Sequence, residues 1–242
     1  MSLDDAFQTP QAKRRYVRDL FATIADRYDL ITRVLSYGQD ARWKAKLTTM
    51  AGVKAGEHAL DLACGTGDLA FAVATRGART IGLDITHRMV QLAHLRAAAV
   101  PSVQPNLKFL TGDMTTLPFR AAAFDLVTTG YGLRNVPDLD TAIDEIARVL
   151  KPGGRLLSLD FNRPDNVVVR AAYLAYLDVA GAALGWVLHR DPDTYRYIPA
   201  SIRRYPGARG VGDRMAARGF TNVRIVPLLF GLMTLHIANR SS

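Results

Sequence analysis

The sequence predicts an α/β fold built on a doubly wound sheet, and three observations carry that prediction. Between residues 53 and 162, short apolar runs alternate with stretches whose apolar residues recur at helical spacing, the pattern of successive βαβ units. The first run, 58–63, ends in Cys64-Gly65-Thr66-Gly67-Asp68, a glycine turn that lets the backbone approach a ligand closely. The candidate polar residues fall at the ends of the runs, where open α/β sheets bind their ligands.

Taken in order, residues 11–27 read as an amphipathic helix. Tyr16, Val17, Leu20, Phe21 and Ile24 share one stripe, with Lys13, Arg14, Arg15 and Arg18 off it. Helical pattern continues through Trp43 to Met50 and is broken between Gly52 and Gly56. Strands are expected at 58–63, 80–83, 106–110, 124–129 and 155–161, with helices from 68 to 76, at 89–99 and at 139–150. Lys151-Pro152-Gly153-Gly154 is a strong helix stop. Beyond 161 the alternation ends. Val167–His189 is an apolar, Ala-rich helical stretch, expected to break at Gly181 and Gly185. Residues 191–206 are polar and aromatic, a helix follows at 211–219, and strands at 222–227 and 229–238 close a Rossmann-like sheet of seven.

The 242 residues suit one domain with extensions. The single cysteine, Cys64, allows no intrachain disulfide, which fits a reducing cytosol, and no secretory signal is expected, because residues 1–15 hold acids first and no apolar run. The longest uncharged apolar run, 179–188, is about half of the ~20 residues a membrane span needs, so no span is expected. The net charge of +9 is uneven: residues 1–50 carry 9 basic and 6 acidic side chains (+3), 51–150 carry 9 and 10 (−1), and 151–242 carry 13 and 6 (+7). Such an excess suits an anionic membrane surface or plain solubility. The basic residues are scattered rather than clustered with aromatics, so no nucleic-acid partner is expected.

Gly65-x-Gly67-x-x-Ala70 matches a loose dinucleotide fingerprint, but a bare turn explains it too. The charges select the ligand. Asp61 precedes the turn and Asp68 follows it, and two carboxylates would repel a pyrophosphate at that helix start. S-adenosylmethionine has no phosphate and carries a sulfonium and an ammonium, which acids suit. Asp84 ends the second strand, 23 residues after Asp61, where an acid takes ribose hydroxyls. Asp113 could accept from an adenine amino group with Met114 on the ring, or be a turn residue. No metal-ligand spacing appears.

From these residues onward the chain resembles the ubiquinone/menaquinone biosynthesis C-methyltransferases, along nearly its whole length. The segments that carry the resemblance run from Phe21 to Asp29, Ser36-Tyr37-Gly38 to Trp43-Lys44, Asp61 to Asp68, and Leu117-Pro118-Phe119. Gly132-Leu133-Arg134-Asn135-Val136, Arg148 to Arg155, Tyr195-Arg196-Tyr197, Ser201-Ile202, Gly219-Phe220 and His236 follow. The Gly-x-Gly and Lys-Pro-Gly-Gly pieces are widespread, whereas Gly-Leu-Arg-Asn-Val and the early Tyr-Asp are more specific. The resemblance implies a class I methyltransferase using S-adenosylmethionine, demethylmenaquinone methyltransferase-like, with cofactor contacts at Thr66, Asp84, Asp113, Met114 and Gly130. Two departures stand out: Gly130 where the family often has Ser, and Asp160-Phe161-Asn162 where it usually has Glu-Phe-Ser.

The implied reaction is methylation of a ring carbon of a prenylated hydroquinone, demethylmenaquinol first. Carbon is a poor nucleophile, so a ring hydroxyl must ionise, and the protein must hold the phenolate and align the reacting atoms. Arg134 could stabilise that anion and Asn135 could orient a hydroxyl or the cofactor. Both could also be loop structure. His236, Asp160, Tyr28 and Tyr197 are candidate bases. The chain would then divide into an N-terminal helical extension (1–52), a cofactor-binding core (53–162), a lid for the prenyl tail (163–210) and a closing helix and strands (211–242). The expected setting is the cytoplasm, at the inner face of an anionic membrane, with a homodimer among the expected assemblies. Two rivals remain: an NAD-dependent oxidoreductase, against which Asp61 and Asp68 argue, and the same fold acting on another prenyl lipid or small molecule.

Overall fold

A computed structural model of the chain describes residues 3–191 and 194–242. Seven strands form one sheet: β1 (His58–Leu62), β2 (Arg79–Asp84), β3 (Leu107–Thr111), β4 (Phe124–Gly130), β5 (Leu150–Phe161), β6 (Phe220–Leu228) and β7 (Met233–Arg240). Their spatial order is β3-β2-β1-β4-β5-β7-β6. The first five are parallel, and β7 runs antiparallel between β5 and β6. The order reverses between β1 and β4, which opens a crevice at their carboxyl ends.

The helices are α1 (Leu3–Ala6), α2 (Pro10–Ile24), α3 (Tyr28–Leu35), α4 (Asp40–Ala51), α5 (Asp68–Ala74), α6 (His87–Ala98), α7 (Leu139–Val149), α8 (Val167–His189), α9 (Tyr197–Arg204) and α10 (Gly207–Ala217). Caps fix several ends. Thr9 Oγ1 accepts from the Ala12 amide at 3.1 Å, with Pro10 opening α2. Asp138 caps α7 and Asn166 caps α8.

Both faces of the sheet are covered, which is why its strands read as apolar runs rather than alternating ones. Leu60, Leu62 and Val127 pack against α7 and α10 through Ile143, Ile146 and Met215. On the other face Ala59, Leu126 and Leu157 pack against α4 and α5 through Leu47, Leu69 and Val73. Strand alternation places Asp61 on this second face, toward α5.

Three expectations change. The Lys-Pro-Gly-Gly stop does end α7, but β5 is already paired at Leu150 and its register then slips before Arg155. Gly181 and Gly185 do not break α8, because both are buried and allow close packing: a Cβ on Gly181 would lie 3.3 Å from Tyr195 Cβ. The expectation that no segment has the length of a membrane span is also overturned. α8 runs unbroken for 23 residues and is apolar enough by composition, because Arg170 and Asp178 interrupt the uncharged run without interrupting the helix.

Candidate active site

The glycine turn after β1 faces the carboxyl ends of β2 and β4, and a cleft of roughly 650 Å³ opens there. Gly65, Asp84, Asp113, Met114 and Gly130 all line it. The buried Asp84 shapes the turn, accepting from the Gly65 amide through Oδ2 and the Thr86 amide through Oδ1, both at 2.8 Å. Each oxygen keeps a lone pair for a hydroxyl donor. Burial raises its carboxyl above the usual range, and those amides pull it back. Gly132 must be glycine: a Cβ there would stand 2.4 Å from Thr129 Oγ1 and 2.9 Å from Ala63 Cβ.

A smaller pocket of about 310 Å³ shares Tyr28, Gly65, Gly130 and Tyr131 with the cleft and adds Asp61 and Thr66. Asp61 accepts from the Ala70 amide at 3.0 Å and the Thr128 hydroxyl at 2.8 Å, and burial pushes its carboxyl up to about 7. Thr66 donates to Asp29 at 2.9 Å. Gly67 lines neither space. It turns with φ +95°, and a Cβ there would meet the Phe109 ring at 2.8 Å. Asp68 departs from its expected part as a bare charge, because Lys44 and Arg96 both pair with it.

Asp113 is likewise engaged: Arg14 of α2 pairs with it at 2.7 Å, and Thr115 donates to it through amide and hydroxyl. α2 therefore roofs this end of the cleft. The cations lining the cleft and small pocket, Arg14 and Lys44, are both paired with acids. Buried acids, and the buried Asn135 Oδ1 with no partner in the protein, suit a ligand bearing hydroxyls, an ammonium and a sulfonium.

A second cavity of roughly 820 Å³ lies among α2, α3, α8 and α9. Its walls are almost wholly apolar. Phe21, Tyr28 and Tyr131 line both it and the cleft, so the two spaces meet across these three rings. Arg134 is the cation on the cavity wall. It is buried, its guanidinium sits over the Phe161 ring at 5.0 Å and donates to Ser201 Oγ, and its Nε stands 3.4 Å from Asp160. Burial raises Asp160 while Arg134 opposes the rise.

The residues expected at the site are not all brought together. Arg134, Tyr28 and Tyr197 face the apolar cavity, and Asn135 faces the cleft, its Nδ2 donating to the Tyr131 carbonyl at 2.7 Å. His236 lines neither space. It sits in β7 opposite Ser158, fully buried, with Nε2 2.8 Å from the Ala208 carbonyl of α10. That bond ties helix to sheet and removes His236 from the candidate bases. Burial raises the Tyr28 phenol to about 12 and that of Tyr197 higher still, so neither gives up its proton readily.

Other residues at the site were not singled out as site residues by the sequence. Tyr131, at φ +61°, donates to Asp40 at 2.6 Å. Lys13 donates to the carbonyls of Val136 at 2.6 Å and Arg134 at 3.2 Å, latching α2 to the loop that presents Arg134 and Asn135. Burial lowers Lys13 to about 8. Its place off the apolar stripe of α2 was legible, its target was not.

The sequence profile of the ubiE/COQ5 methyltransferase family matches residues 9–240. The demethylmenaquinone methyltransferase of Thermus thermophilus is 39% identical over 91% of this chain and 100% of its own length. The ubiquinone/menaquinone biosynthesis C-methyltransferase UbiE of Edwardsiella ictaluri is 37% identical over 91% of this chain and 88% of its own. Among solved structures, a Thermotoga maritima S-adenosylmethionine-dependent methyltransferase superposes with a TM-score of 0.67 at 16% identity, covering 93% of this chain and 100% of its own. Magnesium protoporphyrin IX methyltransferase from Synechocystis, with bound S-adenosylhomocysteine, gives 0.65 at 20%, covering 94% and 99%. At those identities they speak for the fold.

Proposed function

Since the chain belongs to the ubiE/COQ5 methyltransferase family and is an S-adenosylmethionine-dependent methyltransferase of menaquinone or ubiquinone biosynthesis, we propose that its acceptor is a ring carbon of a prenylated quinol, demethylmenaquinol above all. One observation carries the reading. A cleft that carries Asp84, Asp113 and Asn135 and an almost wholly apolar cavity meet at Phe21, Tyr28 and Tyr131, with a buried arginine on the side of the cavity.

Asp84 would take the ribose hydroxyls, Asp61 and Thr66 the amino-acid end, and Asp113 and Met114 the adenine, with Gly65 and Gly130 giving backbone room and Gly67 serving the turn that presents them. Bound there, the cofactor supplies an electrophilic methyl on a sulfonium sulfur. Arg134 would stabilise the ionised ring oxygen, and Asp160 keeps its guanidinium aimed at the cavity. Asn135 would orient the cofactor from its unpartnered Oδ1. Arg134 and Asn135 would thus hold the ring and the methyl donor in line, so that the methyl could take the place of the ring proton, with that proton passing to solvent and a neutral thioether left as the second product.

The segment 163–210, with α8 and α9, would act as the lid over the prenyl tail. The enzyme would work in the cytoplasm and reach its substrate at the inner face of an anionic membrane, alone or as a homodimer. Purified protein given labelled cofactor and, separately, a benzoquinol and a naphthoquinol tests the proposal. Label in a ring methyl of the naphthoquinol supports it, and label in neither quinol overturns it.

A further inference from the structure

Helix α8 lies on the surface, yet its solvent side is apolar. Its inner side buries Tyr173, Leu177 and Gly181. Val168, Ala172, Ala175, Val179, Ala183 and Trp186 follow one another every three or four residues along the outer side, and all are exposed. A surface helix normally turns charged residues outward. Here Arg170 and Asp178 lie off that arc, and Asp178 is paired with Arg203 at 2.5 Å. An apolar patch of this extent marks a site for lipid or protein.

The apolar cavity identifies the occupant. Among the described residues lining it, only Tyr37 and Tyr176 are exposed, and their rings stack at 5.9 Å. Tyr176 borders the outer arc of α8. Leu229 lines the cavity from the β6–β7 turn, and its neighbour Phe230 is fully exposed. The mouth of the cavity and the apolar arc thus form one surface. A second copy of the chain seated there would cap the mouth, whereas a bilayer would continue the apolar path out of it. Exposed aromatic rings at such a boundary suit a membrane interface. Residues 163–210 add seven arginines against four aspartates, a balance of +3 that favours anionic headgroups.

We propose that the outer arc of α8, the Tyr37–Tyr176 pair and Phe230 form a membrane-docking face that opens the apolar cavity directly into lipid. The proposal deepens, and rests on, the reading of the substrate as a prenylated quinol. α8 lies in the plane of the interface rather than across the bilayer, because Tyr195 and the α9 helix hold its inner side in the fold.

The chain carries its own reporter. Of its two tryptophans Trp43 is buried, and Trp186 on the docking arc is 67% exposed. With vesicles of phosphatidylcholine and phosphatidylglycerol, Trp186 emission should shift to the blue. Nitroxide-labelled lipids should quench it more from shallow labels than from deep ones. The double variant Val168→Glu, Val179→Glu changes exposed residues outside the active site. It should bind vesicles at least ~10-fold more weakly at an unchanged Tm. It should methylate a short-tailed, water-soluble quinol normally and a long-tailed quinol in vesicles poorly. Unchanged Trp186 emission in vesicles overturns the proposal. So does a lipid-free dimer in sedimentation that is broken by Val179→Glu. Equal use of both quinols by the variant overturns the link between docking and the cavity, with the methyltransferase reading intact. Failure of the parent protein on both quinols sinks that reading instead, while the vesicle measurements still decide docking.

Discussion

Arg134 meets Asp160 twice: its backbone amide donates to Oδ2 at 3.0 Å, and its guanidinium Nε stands 3.4 Å from Oδ1. One carboxylate therefore fixes both the loop and the side chain it presents. A buried cation held this way is preorganised for an anion that develops on a ring oxygen.

Arg134→Ala should lower turnover on quinol by about 100-fold or more, the typical loss of one such donor. Cofactor affinity should stay within about threefold, since Arg134 faces the apolar cavity and not the cleft. Steady-state kinetics with calorimetric binding separates the two. Near-normal turnover would make Arg134 structural.

Asp84→Ala should weaken cofactor binding by ~10-fold or more, because a hydrogen bond to a charged group contributes about 1.5–3 kcal/mol. Asp84→Asn should fall between, as it keeps an acceptor. An unchanged dissociation constant in titration calorimetry for Asp84→Ala would remove it from the ribose site.

Gly132→Ala should abolish cofactor binding with only a partial loss of stability. The added methyl collides with Thr129 and Ala63, the latter in the cleft wall, and must push the loop aside. Overpacking of this kind costs about 1–3 kcal/mol. Thermal unfolding and cofactor titration are the readouts, and a variant that binds normally would contradict the close approach.

His236→Gln should leave turnover within about threefold and lower Tm, since it disturbs a bond to the Ala208 carbonyl that contributes about 1 kcal/mol. A loss of turnover at unchanged Tm would return His236 to the list of bases.

Stability should depend on pH through Asp61. Burial raises its carboxyl to about 7, against an ordinary value near 3.9 in the unfolded chain. Between those values the folded protein keeps a proton that the unfolded chain has lost, so stability falls as pH rises from about 4 to about 7 and then levels. Asp61→Asn should flatten this slope. Asp84 and Asp160, also raised by burial, remain in both proteins, so the difference isolates Asp61. Calorimetry without cofactor across that range checks it, and identical slopes would place the titration elsewhere.

Much of the sheet was legible, because strands buried on both faces leave apolar runs that end where the crevice opens. Asp84 could be placed from its position alone. Asp68 could not be read as a neutralised charge, since Lys44 and Arg96 reach it from α4 and α6, 24 and 28 residues away along the chain. Tyr131 carries no local signal for its left-handed backbone, a conformation that bulky side chains rarely adopt. α3 was not separated from its neighbours, being only eight residues long and flanked by a short 3-10 turn at Ala25–Arg27. Counting uncharged residues understated α8, because a helix passes through a charge that finds a partner at its edge.

The place of β7 has a consequence for how the molecule assembles. It follows every other strand in the chain, yet it is inserted between β5 and β6 and pairs with both. Until it arrives, β5 has an open edge and β6 has no hydrogen-bonded neighbour in the sheet. The half of the sheet that holds the glycine turn can form during synthesis, whereas the other half waits for residues near 240. A chain cut before Met233 would expose the open edge of β5 and the unpaired strand β6 at once, the condition under which sheets join to other chains and aggregate.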